Sequence, residues 1–214
     1  MDEDLAIITE STRKEQIKNF FVKHKRKVFI FMGLILLTIF SIFFYLDNIK
    51  KQKTKIANKF IKSSLNYNVE SKAYFLKQFN EIIDTHDSTY APLALFFLID
   101  NQVLHSSDEI NDFFDQILNN ANLEKEIRNL LIYKKALFNA DFKSENEMME
   151  ILNPIMNSES FWRPHALLLL GDYFLFKGEK QKAKVFYSRI LTSQKNNKNI
   201  INQAQLRIKK NYVE

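Results

Sequence analysis

The chain contains no cysteine, and only three glycines, three prolines and one tryptophan in 214 residues. Without thiols there are no disulfides, no thiolate catalysis and no cysteine metal site, and the redox compartment goes unmarked. The shortage of glycine and proline argues against sheets joined by tight turns, which need both, whereas helices joined by short polar loops need neither. Catalytic signatures are missing as well. No GxGxxG or GxxxxGK[ST] phosphate loop can be assembled and no G-x-S-x-G elbow surrounds a serine. His24, His86, His105 and His165 are scattered, with no HExxH pattern and no second histidine at i+3 or i+4. Carboxylate pairs such as Asp108-Glu109 fall where a helix N-terminus favours negative charge, a blander role than acid–base chemistry. The expectation is a protein that is not an enzyme, with no cofactor, no metal and no small-molecule substrate.

What the chain does have is one long apolar run. Val28 to Leu46, VFIFMGLILLTIFSIFFYL, carries no charge. A helix of about 19 residues rises roughly 28 Å, matching a hydrocarbon core of about 30 Å. A buried helix of a soluble protein would show a polar stripe at helical spacing, and this run has none. A cleaved signal peptide fits less well: the run exceeds the usual apolar region of about 7 to 15 residues, and a cleavage site needs small residues. Instead Tyr45-Leu46-Asp47-Asn48 follows. Lys25-Arg26-Lys27 abut the span, preceded by Arg13, Lys14, Lys18 and Lys23, whereas Asp47 and Asn48 open the other side before Lys50, Lys51, Lys53, Lys55, Lys59 and Lys62. Cations held at the near edge favour a cytoplasmic N-terminus.

The expected organisation is therefore a cytoplasmic tail over 1–27, a span over 28–46, a stalk helix over 47–66 leading into the fold, and a helical domain over 67–214. The formal charge of +6 does not point to nucleic acid. From Ser63 onward 18 Lys/Arg face 19 Asp/Glu, so the basic excess belongs to the tail and the first turns after the span, where cations meet anionic headgroups of the lipid bilayer.

Apolar spacing after the span is helical throughout, and clean period-two alternation is absent. Asp47–Leu65 places Ile49, Ile56, Phe60 and Leu65 near one stripe, and Val69–Asp84 brings Ala73, Phe75, Leu76, Phe79, Ile82 and Ile83 together. Three hairpins follow, over about 90–119, 123–156 and 164–191. Within them Tyr90–Leu104 pairs with Asp108–Asn119, Leu123–Ala140 with Glu145–Met156, and Pro164–Lys177 with Glu179–Leu191. A capping helix over 200–211 carries Ala204, Leu206 and Ile208 inside. Ile117-Leu118, Ile155-Met156 and Ile190-Leu191 recur at intervals of 38 and 35 residues. A period of about 34 is that of tetratricopeptide arrays, in which each hairpin leaves an apolar face for its neighbour to cover. The fold class expected is all-α: one transmembrane helix followed by degenerate tetratricopeptide-like hairpins in an α-solenoid. Phe96-Phe97 and Phe113-Phe114 are read as packing inside it, and Trp162 as packing at the junction of the second and third hairpins.

The last hairpin resembles a tetratricopeptide repeat most closely, through Leu170, Gly171, Phe174, Gly178, Ala183 and Tyr187. Gly171 and Ala183 let two helices approach, Phe174 and Tyr187 fill the space between them, and Gly178 permits the turn. In the middle unit Ala136 takes the glycine's place and Asn139 the aromatic's. With the tail and the span, Ser88-Thr89-Tyr90-Ala91, Leu170-Gly171-Asp172, Lys177-Gly178-Glu179, Gln181 and Ala183, the chain resembles the YfgM-like ancillary subunits of the bacterial SecYEG translocon. That resemblance implies an inner-membrane protein with periplasmic repeats. Its partners would be translocon subunits and a membrane-anchored periplasmic chaperone, and its role to assist secreted proteins as they emerge. A scaffold for an envelope or cell-division complex without Sec contact is the alternative. If the last unit follows the standard repeat, His165, Leu168, Asp172 and Phe176 form a stripe on its inner face, at i, i+3, i+7 and i+11, and are the candidate peptide groove.

Overall fold

The computed structural model describes the backbone of residues 2–192 and 197–212, and within these bounds the side chains of residues 18, 20 and 22 onward. The side chains of Arg13 and Lys14, counted in the charge balance, lie outside the described residues. Among the described residues every regular element is helical and no strand occurs. The chain divides into two compact units, residues 1–55 and 56–214.

The first unit is formed by helix α1, Asp2–Leu65, which runs on through Lys55 into the second. The tail, expected only as a charged segment, is thus helical. A kink interrupts α1 at His24, whose φ of −111° and ψ of 18° leave the helical region. The apolar stretch beyond it is long enough to cross a membrane, and none of its surface is buried inside the protein. Within it the Thr38 hydroxyl donates to the Ile35 carbonyl at 2.8 Å, which satisfies it within the helix.

The second unit starts with the last turns of α1. It continues through one 3-10 turn, Val69–Ser71, and helices α2 (Lys72–Ile83), α3 (Tyr90–Asp100), α4 (Ser107–Asn120), α5 (Lys125–Asn139), α6 (Glu145–Met156), α7 (Arg163–Phe176), α8 (Lys180–Leu191) and α9 (Lys198–Tyr212). Each helix from α2 onward packs on the next, and α7 also touches α5 and α9. That is hairpin packing in which alternate helices share a face. In the first hairpin the pairing differs from expectation, since α3 packs more extensively on α2 than on α4. The cause is aromatic: Phe79 of α2 stacks on Phe97 of α3 with centroids 4.4 Å apart, and Phe60 of α1 meets both rings edge-on.

Local chemistry sets the helix ends. Asp87 accepts the Thr89 and Tyr90 amides at 2.9 and 2.8 Å, opening α3. Ser106 accepts the Glu109 amide at the head of α4, and Ser144 with Glu147 forms a reciprocal capping box on α6. Pro164 occupies the first turn of α7, where its missing donor does no harm. Helix α3 stops at Asp100 rather than Leu104. The Val103 amide bonds back to the Leu98 carbonyl at 2.9 Å and the Gln102 amide to Ile99 at 3.0 Å, a Schellman closure with Gln102 in the left-handed region at φ 51°. Helix α7 closes the same way, through Glu179 to Phe174 and Gly178 to Leu175, with Gly178 at φ 82°.

Two apolar cores result. Phe79, Ile82, Leu95, Leu98, Phe114 and Leu131 centre the first, and Ala136, Met148, Leu152, Leu170, Tyr187 and Ala204 the second; Leu118 packs against both. Two further readings change. Leu206 is 63% exposed, because Ile200, Ala204 and Ile208 form the inward stripe of α9. Leu65 is 80% exposed, so only Ile56 and Phe60 of the stalk stripe reach the core.

Candidate functional site

The site is built outward from one glycine. Leu170, Gly171 and Phe174 occupy the face of α7 that meets Ala183 and Tyr187 of α8, and all five are buried. A Cβ on Gly171 would lie 2.3 Å from Tyr187 Cε1, so the absence of a side chain is what lets the tyrosine ring rest on the α7 backbone. Phe174 stacks on Phe186 at 5.3 Å with the rings nearly parallel.

Seating that ring carries its hydroxyl to the neighbouring residue. Tyr187 Oη donates to Asp172 Oδ1 at 2.7 Å, and Arg207 of α9 grips the same carboxylate with two nitrogens, Nε on Oδ1 and Nη2 on Oδ2 at 2.8 Å. A bidentate guanidinium–carboxylate pair is the strongest form of such contact. Asp172 therefore ties α7, α8 and α9 together. Its charge acts on the groups around it. Burial, then the hydrogen bond to Asp172, push the Tyr187 phenol far above its ordinary value, while that carboxylate holds the Arg207 guanidinium charged and more than offsets its partial burial.

Of the four residues read as a groove, the structure brings three together. His165, Leu168 and Asp172 line a cleft of about 400 Å³ between α5, α7 and α9. Phe176 is not part of its lining and stands 79% exposed at the end of α7. The opposite walls are Tyr133 and Leu137 from α5, and Gln203 and Arg207 from α9. Sequence reasoning missed these four, although each pair sits at i, i+4 on a helix equivalent to α7 in the array, and repeating the stripe on α5 and α9 finds them. The capping helix thus closes over the acidic end of the stripe through Arg207 and leaves the apolar part lined by Tyr133, Leu137, Leu168 and Leu169.

His165 sits at the other end in an aromatic nest, 5.2 Å from Trp162, 5.4 Å from Phe161 and 6.2 Å from Tyr133 between ring centroids. Trp162 stacks on Tyr133 at 5.6 Å and so joins the last hairpin to the middle one. In that middle unit Asn139 is fully buried and exchanges amide hydrogen bonds with Asn111 of α4 at 2.7 and 2.9 Å. A polar pair replaces the expected aromatic and satisfies itself. Among the described residues no group of three or more His, Asp or Glu side chains could hold a metal ion.

Comparisons of the chain with protein-family models, with curated proteins and with solved structures each return no match.

Proposed function

We propose that this protein is a membrane-anchored adaptor that binds other proteins through its helical domain. The observation that carries the reading is the cleft shared by α5, α7 and α9, apolar along Leu137, Leu168 and Leu169, on a chain that also carries a span-length apolar helix. A groove made from alternate helices of an array offers several side-chain layers to an extended or helical segment, the usual way such arrays recruit partners. The cations beside the span favour a cytoplasmic N-terminus and an exported helical domain, in the inner membrane of a bacterium. The resemblance to YfgM-like subunits supports a tetratricopeptide-type repeat domain in the periplasm, with translocon subunits and a membrane-anchored chaperone as its partners in protein secretion.

Photocrosslinking in membranes tests this reading, with probes placed along His165 to Phe176, at Leu137 and beside the span of the full-length protein. Adducts with translocon subunits or periplasmic chaperones are the expected result. Adducts with division or envelope proteins alone would replace the secretion role by a scaffold, and adducts with cytoplasmic proteins alone would reverse the orientation.

A further inference from the structure

A second, larger cleft of about 940 Å³ lies at the head of α7, where the last turn of α8 and the first turn of α9 converge. Its lining is unlike that of the groove. Arg163 comes from α7, Arg189 from α8 and Lys198 from α9, against Glu159 as the one carboxylate among the described lining residues, an excess of two positive charges. Among the described residues no carboxylate lies within ion-pairing distance of these three cations.

The wall beside the cations is apolar. Phe161 is 62% exposed, and half-buried Pro164 continues the surface. The segment bearing Phe161 is held in place: Glu126 of α5 accepts the Ser160 hydroxyl at 2.8 Å and the Phe161 amide at 3.2 Å. An exposed phenylalanine on a fixed backbone next to three cations without a carboxylate partner has the make-up of a recognition surface, with an aromatic anchor and a charged rim. Simple inorganic anions would use the cations and leave the apolar wall idle.

We propose that this cleft binds an acidic peptide segment, one in which an apolar side chain neighbours two or more carboxylates. The proposal rests on the adaptor reading and names the chemistry of the partner. Phe161 and Pro164 take the apolar side chain, and Arg163, Arg189 and Lys198 take the carboxylates.

The test uses the full-length protein in nanodiscs of phosphatidylcholine, whose headgroups carry no net charge to compete. The probe is a fluorescein-labelled Gly-Glu-Glu-Phe-Glu-Gly peptide, read by fluorescence anisotropy at low salt, with a glutamine-for-glutamate version as reference. The acidic peptide is expected to bind about tenfold tighter than the reference, and Arg189→Gln with Lys198→Gln together to remove that advantage. Both residues lie at helix ends, Lys198 exposed and Arg189 half-buried with its guanidinium over the Phe186 ring, and unchanged circular dichroism checks the fold. The charge-reversed pair Arg189→Glu and Lys198→Glu is expected to reject the acidic peptide and accept one with lysine in place of glutamate. Equal binding of the acidic and glutamine peptides, or no response to charge reversal, would overturn the proposal. So would full displacement by inorganic phosphate combined with no loss when the peptide's phenylalanine becomes glycine, since that marks a bare anion site. If the cleft fails while probes in the α5–α7–α9 groove still give protein adducts, the adaptor reading stands without it; if both fail, both fall.

Discussion

The two cores of the helical domain solve the same packing problem in opposite ways. Around α2 and α3 the space between helices is filled by large flat rings, Phe60, Phe79 and Phe97, with Tyr67 meeting Phe97 edge-on at 5.3 Å. Around α7 and α8 the helices instead close onto a glycine and an alanine, and one tyrosine is driven so far in that its hydroxyl meets Asp172. The turns differ in parallel. Both hairpins use a Schellman closure, but α7 has Gly178 at the left-handed position and α3 has Gln102. The first region is bulky and tolerant in shape, while the second is tight and keyed to single residues.

The largest effect should come from emptying the bulky core. Phe79→Ala removes a fully buried ring and is expected to cost about 4 kcal/mol. Because array stability is largely nearest-neighbour, hydrogen exchange should rise across α2 to α4 far more than across α7 to α9. The single tryptophan reports the other side independently, since Trp162 stacks on Tyr133 within the second core. Its fluorescence should hold in this variant; a loss of both signals together would mean that the two cores form one cooperative unit.

Gly171→Ala attacks the tight core with one methyl group. Its Cβ would fall 2.3 Å from the Tyr187 ring, and the ring cannot retreat without giving up Asp172. Overpacking should cost about 3 kcal/mol, even though alanine favours a helix more than glycine does. Urea unfolding followed by Trp162 fluorescence reads the loss. An unchanged midpoint would show that the helices can separate freely.

The turns make a reciprocal pair. Gln102→Gly should stabilise the protein by about 1 kcal/mol by relieving a left-handed glutamine, and Gly178→Ala should destabilise it by about the same amount. Nothing lies within 4 Å of a Cβ added at Gly178, so backbone conformation alone sets that cost. Shifts of thermal midpoint in the same direction for both would contradict the closure geometry.

The smallest effect is electrostatic. Hydrogen bonds from the Ser144 hydroxyl and amide, then from Lys143, hold the Glu147 carboxyl down at about 2, from an ordinary 4.5. A depressed carboxylate contributes stability above the ordinary value and loses it as pH falls toward the folded one. The wild-type chain should therefore lose more thermal stability between pH 5 and about pH 2 than Glu147→Gln does. Equal losses would show that the capping box does not hold in solution.

The same contrast explains what could be read from the residues alone. The long apolar helix, the helical class and the tight packing of Gly171 against Tyr187 were legible because each rests on composition or on spacing within one hairpin. The end of α3 was not, because Gln102 gives no stop signal where a glycine would. The walls of the groove were only half legible. Asp172 belongs to a recognisable motif, but its partner Arg207 lies 35 residues away on a helix whose polar face looks merely solvated. Phe176 shares the stripe of Asp172 by spacing, yet it falls beyond the end of the cleft. The middle hairpin hid its solution altogether, because two asparagines on different helices reveal a reciprocal bond only once they face each other.

The proposal that the helical domain is exported is tested most directly by single cysteines, which the native chain lacks. Lys18→Cys reports on the tail, and Val185→Cys, at an exposed position of α8, on the domain. In spheroplasts treated with a membrane-impermeant maleimide, Val185→Cys should label fully and Lys18→Cys only after lysis. Labelling of Lys18→Cys alone would place the helical domain in the cytoplasm and remove both the orientation and the secretion role.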